Sequence, residues 1–505
     1  MRALLVTSVG VTCAAALTLP LAAPASSAPV LSAASARPPS LTTEPGTDTT
    51  DTSGTTAPDT TTTSDTTAPD GAELRAAKSA AAPAGSTQSL PLAPLAVPSN
   101  RVAGAPAVQG LPQRDARPFS LVGVVWDDAE AELHGTVQVR TRATGTTRWS
   151  DWQDVETHNA DHAADLGSAE REGRTVRGAT APLWVGDSDG VEVRVRPESP
   201  AAPGSQDRAA TPVPLPEGMR LELVDPGEDP APEPARGAPA NRAAVPAVFA
   251  DTPPTAALPE VLTAEIAAAS AVNAEVAELG ASVIPALTQA ETAESVNLAP
   301  GAKPYIGPRP RIVTRKGWGA DEKLRERNFG YTKSVKAAFV HHSATGNNYT
   351  CKQAPSVLRS IYRYHVKSSG WRDFGYNFAV DKCGNIYEGR AGGVTKAVLG
   401  AHTLGFNTNT MGIAVLGSYG STNPPAAAVT AVSKLTAWKL GLFGANPKGK
   451  VTLVSGGSNK YKKGVKVKMN VISGHRDGFA TECPGARLYK KLGTARTSSA
   501  KLQGR

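Results

Sequence analysis

Two stretches of this chain carry histidine and cysteine side chains that could serve as metal ligands. The stretch VISGHRDGFATECPG places His475 eight positions before Cys483, and the stretch AAFVHHSAT ends an apolar run on His341 and His342. Imidazole nitrogens and thiolate sulfurs are both good zinc ligands. Three such ligands would leave the fourth tetrahedral position free for water, which is the catalytic arrangement. The two stretches therefore predict a catalytic zinc site built from distant parts of the chain.

The elements that must position these ligands follow from the pattern around them. An apolar run that leads into two histidines and small polar residues is typical of a buried strand that delivers side chains at its carboxyl end. Because successive strand side chains point to opposite faces, His341 and His342 are not equivalent, and only one of them is expected to face the metal.

Length and charge bound the organisation of the chain. A chain of 505 residues is too long for one compact domain, so two or three folded units are expected. Residues 301–505 carry 34 Lys and Arg against 8 Asp and Glu, whereas residues 1–300 carry 19 against 37. The basic half should adhere to polyanions. No nucleic-acid motif is present, which favours an anionic cell wall as the partner; a basic surface that serves only solubility is the alternative.

The first residues predict export. Residues 1–28 contain an arginine near the start, an apolar core and small residues at Ala25 and Ala28, the two candidate cleavage points of a secretory signal peptide. No other run approaches the roughly 18 apolar residues that span a bilayer. The mature protein is therefore expected outside the cell, without a membrane span. Cys13 lies in this leader, which leaves an odd number of cysteines in the mature chain.

Between the leader and the metal-binding stretches, the texture of the sequence changes several times. Residues 29–116, rich in Thr, Ala and Pro, are predicted to be a disordered linker. Residues 117–227 contain six or so short, partly alternating runs that indicate a small antiparallel all-β domain, a sandwich or barrel. Residues 228–308 are predicted to be a Pro/Ala-rich linker with one or two helices.

The aromatic and histidine residues of the β domain are expected to be structural. Its tryptophans are interpreted as core residues more readily than as carbohydrate-stacking residues. Its histidines, which lack metal-ligand spacing, are interpreted as ordinary surface or core residues: His134, His158 and His162.

Six blocks that follow one another in order resemble a known family. They are FVHHSAT, WRDFGYNF, YEGR, GAHT, MGIAVLG and GHRDGFATECPG. These blocks resemble the zinc amidases that include the peptidoglycan recognition proteins and the phage-lysozyme-type N-acetylmuramoyl-L-alanine amidases. The resemblance covers residues 309–496, with 497–505 left as a tail. It implies an α/β fold in which a central mixed β-sheet is flanked by helices.

The resemblance also implies roles for particular residues. It makes His341, and not His342, the first zinc ligand, with His475 and Cys483 completing the site. Tyr376 matches a tyrosine beside the zinc that supports catalysis. Thr481 matches a position where some members have Lys and others Thr, and on that basis it is assigned a catalytic role. The identity of the general base stays open.

Further expectations concern the groove and the remaining cysteines. His402 and Arg390 fall where the family lines its peptide groove; for Arg390, an ion pair that braces the fold is an equal alternative. A disulfide between Cys351 and Cys383, with Cys483 on zinc, accounts for the cysteines of the mature chain.

Together these observations predict a multidomain protein with a C-terminal α/β amidase domain, a small all-β N-terminal domain and disordered linkers. The predicted function is that of a secreted, cell-wall-associated zinc amidase, monomeric, with peptidoglycan as substrate and no nucleic-acid partner. It would cut between the lactyl group of N-acetylmuramic acid and L-alanine. The alternative is a recognition module that binds peptidoglycan without cutting it.

Overall fold

A computed structural model of the chain describes residues 85–95, 108–157, 162–168, 170–198, 213–230, 262–296 and 304–505. The predicted signal peptide and most of the first predicted linker lie outside these residues. The described residues all fall within one compact unit, Lys78–Arg505.

The N-terminal part of this unit is an eight-stranded sheet in which every strand pairing is antiparallel. Its strands are β1 (Thr87–Pro91), β2 (Ala93–Pro94), β3 (Gln109–Trp126), β4 (Gly135–Ala143), β5 (Gln153–Val155), β6 (Gly178–Ala179), β7 (Leu183–Pro197) and β8 (Arg220–Val224). The strand order is β1-β8-β3-β7-β4-β5, and β2 and β6 pair with β3. Alternate residues of β4 and β7 are buried, as expected of half-buried strands.

This sheet confirms the all-β prediction and corrects its boundary. The predicted start at residue 117 was wrong, because β1, β2 and the first residues of β3 precede it and pair within the sheet. The alternating pattern is weak there because the first half of β3 is largely exposed. Trp126 and Trp184 are buried, in agreement with their interpretation as core residues.

The C-terminal part is an α/β domain around a mixed seven-stranded sheet, ordered β17-β11-β14-β12-β13-β10-β9. Its strands are β9 (Val283–Ile284), β10 (Ile312–Val313), β11 (Ala337–His342), β12 (Phe378–Val380), β13 (Ile386–Glu388), β14 (Thr410–Val415) and β17 (Ile472–Gly474). A separate hairpin consists of β15 (Lys450–Val454) and β16 (Lys466–Asn470). The helices are α1 (Ala264–Ala271), α2 (Gln289–Glu294), α3 (Ala354–Arg363), α4 (Ala426–Leu442), α5 (His475–Gly478) and α6 (Ala486–Leu502).

Helices cover both faces of this mixed sheet. Apolar residues of α4 and α6, among them Val432, Trp438 and Leu492, pack on one face together with Val340. Helix α3 packs on the other face through Val357 and other apolar residues. The predicted mixed sheet with flanking helices is confirmed. The predicted tail at 497–505 was wrong, because α6 continues to Leu502.

The two domains share one apolar core. Leu121, Val125 and Trp184 of the N-terminal sheet belong to the same buried cluster as Val357 and Tyr364. Tyr364 begins a π-helical turn that continues α3. Its hydroxyl lies 3.1 Å from the carbonyl oxygen of Thr180 and 3.4 Å from that of Val124. The N-terminal domain is therefore packed against the α/β domain by the kind of contact that holds a single core together.

The segment that was predicted as the second linker is partly integral to the α/β domain. Strand β9 pairs with β10 at the edge of the mixed sheet. The buried Asn273 donates from Nδ2 to the Glu388 carboxylate at 2.9 Å and accepts the Val394 amide at 2.8 Å. The linker prediction was wrong for residues 262–296, although these residues contain two short helices, α1 and α2, where one or two were predicted.

Two further predictions concern the disulfide and the membrane. Cys351 and Cys383 form the predicted disulfide, with their Cα atoms 6.1 Å apart. It joins the start of the α3 segment to the turn between β12 and β13. Within the described part of the chain, no helix has both the length and the apolar character that a bilayer crossing requires.

The buried carboxyl of Glu388 makes a prediction about pH. Burial is the largest influence on its pKa, which it raises from the ordinary 4.5 to about 7 against the opposing effects of Asn273 and Arg315. The folded state then binds more protons than the unfolded state, so this group's contribution to stability is greatest below pH 4.5 and is lost as pH rises toward 7. At about 1.4 kcal/mol per pKa unit, the loss is up to about 3 kcal/mol.

The Glu388→Gln variant should lack this component. We expect calorimetric melting of the variant to lie furthest below the wild type near pH 5, with the gap narrowing toward pH 8. Glu294→Gln, at an exposed position in α2, is the control. A gap that stays constant across this pH range would contradict the assignment.

Candidate metal centre

Parallel strand pairing brings the two histidine stretches together. Strand β11 pairs in parallel with β14 on one side and with β17 on the other, with Val340 opposite Gly474. The carboxyl ends of these strands therefore meet at one edge of the sheet, where open α/β sheets place their ligands. His341 lies at the end of β11, and His475 directly follows β17. The rings of these two residues lie 4.4 Å apart, centroid to centroid.

A tight loop after α5 carries Cys483 to the same edge. The Cys483 carbonyl accepts the Arg476 amide at 3.0 Å, and its own amide donates to the Thr481 hydroxyl at 3.1 Å. Gly485 ends the loop with φ +85°, and a Cβ at this position would lie 2.3 Å from the Tyr419 backbone. Only glycine fits there without strain. The structure thus places Thr481 where it holds the cysteine loop; its catalytic role stays a prediction.

The predicted ligands belong to one buried cluster, and the cluster has a fourth member. The possible ligand atoms of His162, His341, His475 and Cys483 all lie within 4.8 Å of one another. His162 belongs to the N-terminal domain, and its Nε2 lies 3.1 Å from Nδ1 of His475 and 3.5 Å from Sγ of Cys483. His162, interpreted as an ordinary surface or core histidine, is buried like a core residue, but it lies within this cluster, which its spacing along the chain did not indicate.

His341 is oriented by a hydroxyl behind it. Its Nδ1 lies 3.8 Å from Sγ of Cys483, while its Nε2 lies 3.3 Å from Oγ1 of Thr403. Burial, followed by the neighbouring imidazoles, holds the pKa of His341 well below its ordinary value. The imidazole is therefore neutral, which is the form that binds a metal. A second hydrogen-bond partner of this kind fixes the ring of a ligating histidine.

His402 lies behind the same hydroxyl. It is fully buried, and its Nδ1 lies 3.0 Å from Oγ1 of Thr403. Its ring packs so closely on β14 that a Cβ at Gly412 would lie 2.4 Å from it. This location suits the support of Thr403 and His341, and the substrate contact that the sequence suggested for His402 stays a prediction.

His342 faces away from the cluster. Its Nδ1 lies 3.4 Å from the Tyr419 amide nitrogen, and its Nε2 lies 3.4 Å from the carboxylate of Glu156. Alternation along β11 therefore separates the two histidines, as the preference for His341 over His342 required.

Tyr376 lies beside the cluster. The centroid of its buried ring is 5.2 Å from that of His341 and 5.8 Å from that of His162. His365 supports the loop that carries it: the imidazole stacks on Trp371 and its Nδ1 accepts the Gly375 amide at 3.2 Å. Burial lowers the pKa of His365 to about 3, so this ring is a neutral acceptor.

Arg390 is paired with a carboxylate from the other domain. Its guanidinium contacts the Glu170 carboxylate, and both side chains are buried. The alternative interpretation, an ion pair, describes this contact, but the partner lies in the N-terminal domain and not in the α/β domain. A role of Arg390 in substrate binding stays a prediction.

The donor set fits zinc. Three imidazoles and one thiol, all buried and converging within 4.8 Å, are the ligand types of zinc proteins, whereas carboxylates and carbonyls suit harder cations. The sequence signal for His341, His475 and Cys483 was their spacing at strand ends. His162, Thr403 and Glu170 were missed because none of them stands in a ligand pattern along the chain.

The fold and the cluster together define a class: an α/β domain with a cluster of three histidines and a cysteine, which could hold a metal ion, at the carboxyl edge of its parallel strands. Two family models match the chain. One, the Rv3811 N-terminal galactose-binding domain-like family, matches residues 72–214. The other, N-acetylmuramoyl-L-alanine amidase, matches residues 331–486.

The α/β part of the chain is also similar to known proteins and to a solved structure. Peptidoglycan-recognition protein SC2 of Drosophila simulans is 30% identical over 185 residues, which are 36% of this chain and 85% of the relative. A human N-acetylmuramoyl-L-alanine amidase is 30% identical over 37% of this chain and 28% of its own length. The solved structure of wild-type Drosophila PGRP-LB aligns with 36% of this chain and 92% of its own, at 25% identity and a TM-score of 0.29. This chain belongs to the family of peptidoglycan recognition proteins and N-acetylmuramoyl-L-alanine amidases.

The opposite orientations of His341 and His342 make a testable difference. His341→Ala should lower zinc affinity by more than about tenfold, since it removes a donor from the cluster. His342→Ala should leave the affinity within about threefold of wild type, because that ring faces Glu156. Competition with a chromophoric chelator measures both. Loss of metal from the His342 variant alone would reverse the assignment.

The hydroxyl behind His341 makes a second prediction. Thr403→Val keeps the shape of the side chain but removes the hydrogen-bond partner of His341, so zinc affinity should fall by roughly 10- to 100-fold. Thr403→Ser retains the hydroxyl and serves as the matched control. If the valine and serine variants bind zinc equally well, Thr403 does not orient the ligand.

Proposed function

We propose that the chain is a secreted zinc amidase that hydrolyses the amide bond between the lactyl group of N-acetylmuramic acid and L-alanine in peptidoglycan. The observation that carries the proposal is the convergence of His341, His475 and Cys483 at one strand edge, with Tyr376 against them. The names of the similar proteins, which include an amidase and recognition proteins, agree with this substrate class.

The proposed division of labour follows from what each side chain can do. His341, His475 and Cys483 would hold zinc, and Thr403 would keep His341 in the tautomer that presents Nδ1 to it. When bound, zinc polarises a carbonyl and lowers the pKa of coordinated water to about 7. An amide also requires stabilisation of the charge that develops on its oxygen.

Tyr376 is the residue of this chain that suits the developing charge. Its ring packs against His341 and follows a loop held by His365, which stacks on Trp371. A phenol fixed by its surroundings can donate a hydrogen bond without reorganisation during the reaction. Thr481 would act indirectly, because its hydroxyl accepts the amide of Cys483 and so holds the loop that carries this ligand.

The second candidate function is recognition of peptidoglycan without hydrolysis. Most of the similar proteins are named as recognition proteins, which favours it. Against it stands the buried thiol of Cys483 within the cluster. A module that only binds a glycopeptide has no chemical need for three imidazoles and a thiol packed around one point.

The setting of the proposed activity is the cell wall. The Cys351–Cys383 disulfide suits an oxidising compartment, and this agrees with the export that the predicted signal peptide implies. The turn and second strand of the β15–β16 hairpin expose five lysines that would adhere to anionic wall polymers: Lys460, Lys462, Lys463, Lys466 and Lys468. The monomeric state and the lack of a nucleic-acid partner stay predictions.

Removal of the thiol tests the proposal. Cys483→Ala should lose zinc and reduce dye release from labelled peptidoglycan by more than about 100-fold. This loss is larger than that expected when a residue that only supports a metal ligand is removed. A strong chelator should abolish release by the wild type. His134→Ala, at a half-exposed position of the N-terminal domain, is the control. Equal zinc content in Cys483→Ala and wild type, or release that ignores the chelator, would contradict the proposal.

A further inference from the structure

A segment of the N-terminal domain lies across the metal centre. We call the described residues 162–168 and 170–177 the strap. At its start, His162 is 4% exposed and forms part of the cluster with His341, His475 and Cys483. The proposed amidase site needs only the latter three residues as ligands and a fourth position for water, so His162 as a further ligand would take the position of that water.

The strap is anchored at two places on the α/β domain. Beyond His162, the carboxylate of Asp165 accepts the Gly405 amide at 2.7 Å and Nδ2 of Asn407 at 2.8 Å. Asn407 also donates to the carbonyl of Ala163 at 2.9 Å, while its own oxygen accepts the His402 amide at 2.7 Å. The strap is therefore bonded to the same loop that supports the metal ligands from behind.

The second anchor neutralises Arg390. Glu170 contacts this guanidinium in a buried ion pair, and the Glu170 carbonyl accepts Nε of Arg372 at 2.9 Å. Further along, Arg174 lies 3.2 Å from the carboxylate of Glu326. A substrate that used Arg390 would have to displace the Glu170 carboxylate first.

These contacts differ in kind from those that join the domains. The shared apolar core around Tyr364 already packs the N-terminal sheet against the α/β domain. The strap adds a histidine, two partly buried carboxylates and their hydrogen bonds, and an ion pair of this type contributes little net stability relative to an apolar contact. These contacts instead fix the position of the strap.

The strap also has room to move while the domain interface stays in place. A cavity of about 450 Å³ lies beside it, lined by His162, Leu166 and Arg171 from the strap and by Trp371 and Phe479 from the α/β domain. Displacement of the strap into this space would leave the shared core intact, since Leu121, Val125 and Trp184 lie outside the strap.

We propose that His162 is the fourth ligand of the metal centre and that the strap holds the chain in a latent state. It does so by occupying the coordination position that the reaction needs, and by pairing Glu170 with Arg390, the arginine predicted to contact the substrate. This inference rests on the proposed amidase function for its catalytic half, whereas the ligand role of His162 stands on the cluster alone. Activation is then displacement of the strap, and the class of the protein in its described form is a self-inhibited hydrolase.

The test uses the full chain loaded with zinc or with cobalt(II), in the wild type and three variants. His162→Ala removes the fourth donor. Glu170→Gln weakens the anchor at Arg390 without touching the cluster. His134→Ala is a matched control from the same domain. Each protein is measured by the visible absorption of bound cobalt, by the rate of zinc loss to a chelator, and by dye release from labelled peptidoglycan.

Because His162→Ala removes a donor, we expect it to change the cobalt spectrum and to lose zinc at least about tenfold faster than wild type. Dye release should rise by about tenfold or more. Glu170→Gln should raise dye release and quicken zinc loss to a smaller extent, and His134→Ala should match the wild type. Melting curves identify any variant that does not fold; if His162→Ala does not, His162→Phe, which keeps a ring but removes the donor, replaces it in the same comparison.

Two results would overturn the inference. An unchanged cobalt spectrum and zinc-loss rate in His162→Ala would show that this residue is not a ligand. A changed spectrum with dye release no higher than wild type, from a variant set that does hydrolyse peptidoglycan, would show that the strap does not hold the chain latent.

Failure of the amidase function itself gives a different pattern. In that case none of the folded, metal-loaded proteins releases dye, whereas the cobalt spectrum still distinguishes His162→Ala from His134→Ala. The spectral difference would support the ligand role of His162, and the absence of release would overturn both the amidase proposal and the latent state that depends on it.

Discussion

The parallel pairing of β11 with β14 and β17 is the constraint on which the metal centre depends. Parallel strands in register deliver their carboxyl ends to one edge, so Val340 opposite Gly474 fixes the separation of His341 and His475 before any side chain is considered. A shift by one residue would turn His341 to the opposite face and bring His342 in its place. The helices on both faces bury the strands and so hold that register.

Much of this arrangement could be predicted from the sequence. The apolar run before His341 predicts a buried strand, because this inference depends only on neighbours in the chain. Resemblance to a family then connects stretches that local patterns cannot connect. The mixed sheet was predicted in this way. The Cys351–Cys383 disulfide was predicted because it pairs the cysteines that remain once Cys483 is placed on zinc, and the structure contains both.

What escaped prediction depends on contacts between distant segments. His162 is a lone histidine without ligand spacing, and it meets His475 across 313 positions of sequence. Asn273, in a stretch with linker composition, becomes integral to the fold because Glu388 and Val394 offer it buried partners. The first half of β3 lacks apolar alternation because it is exposed, and its strand character comes from backbone pairing alone. In each case the residue type is compatible with several environments, and the tertiary partner decides among them.

The shared apolar core has a consequence for how such a protein can arise and be taken apart. Tyr364 and Val357 belong to the α/β domain, yet their packing partners Leu121, Val125 and Trp184 belong to the sheet that precedes it. A fragment that began after that sheet would expose this face to solvent as a contiguous apolar patch, and such patches promote self-association. In this chain, recombination in evolution and dissection in the laboratory would therefore have to transfer the two domains together.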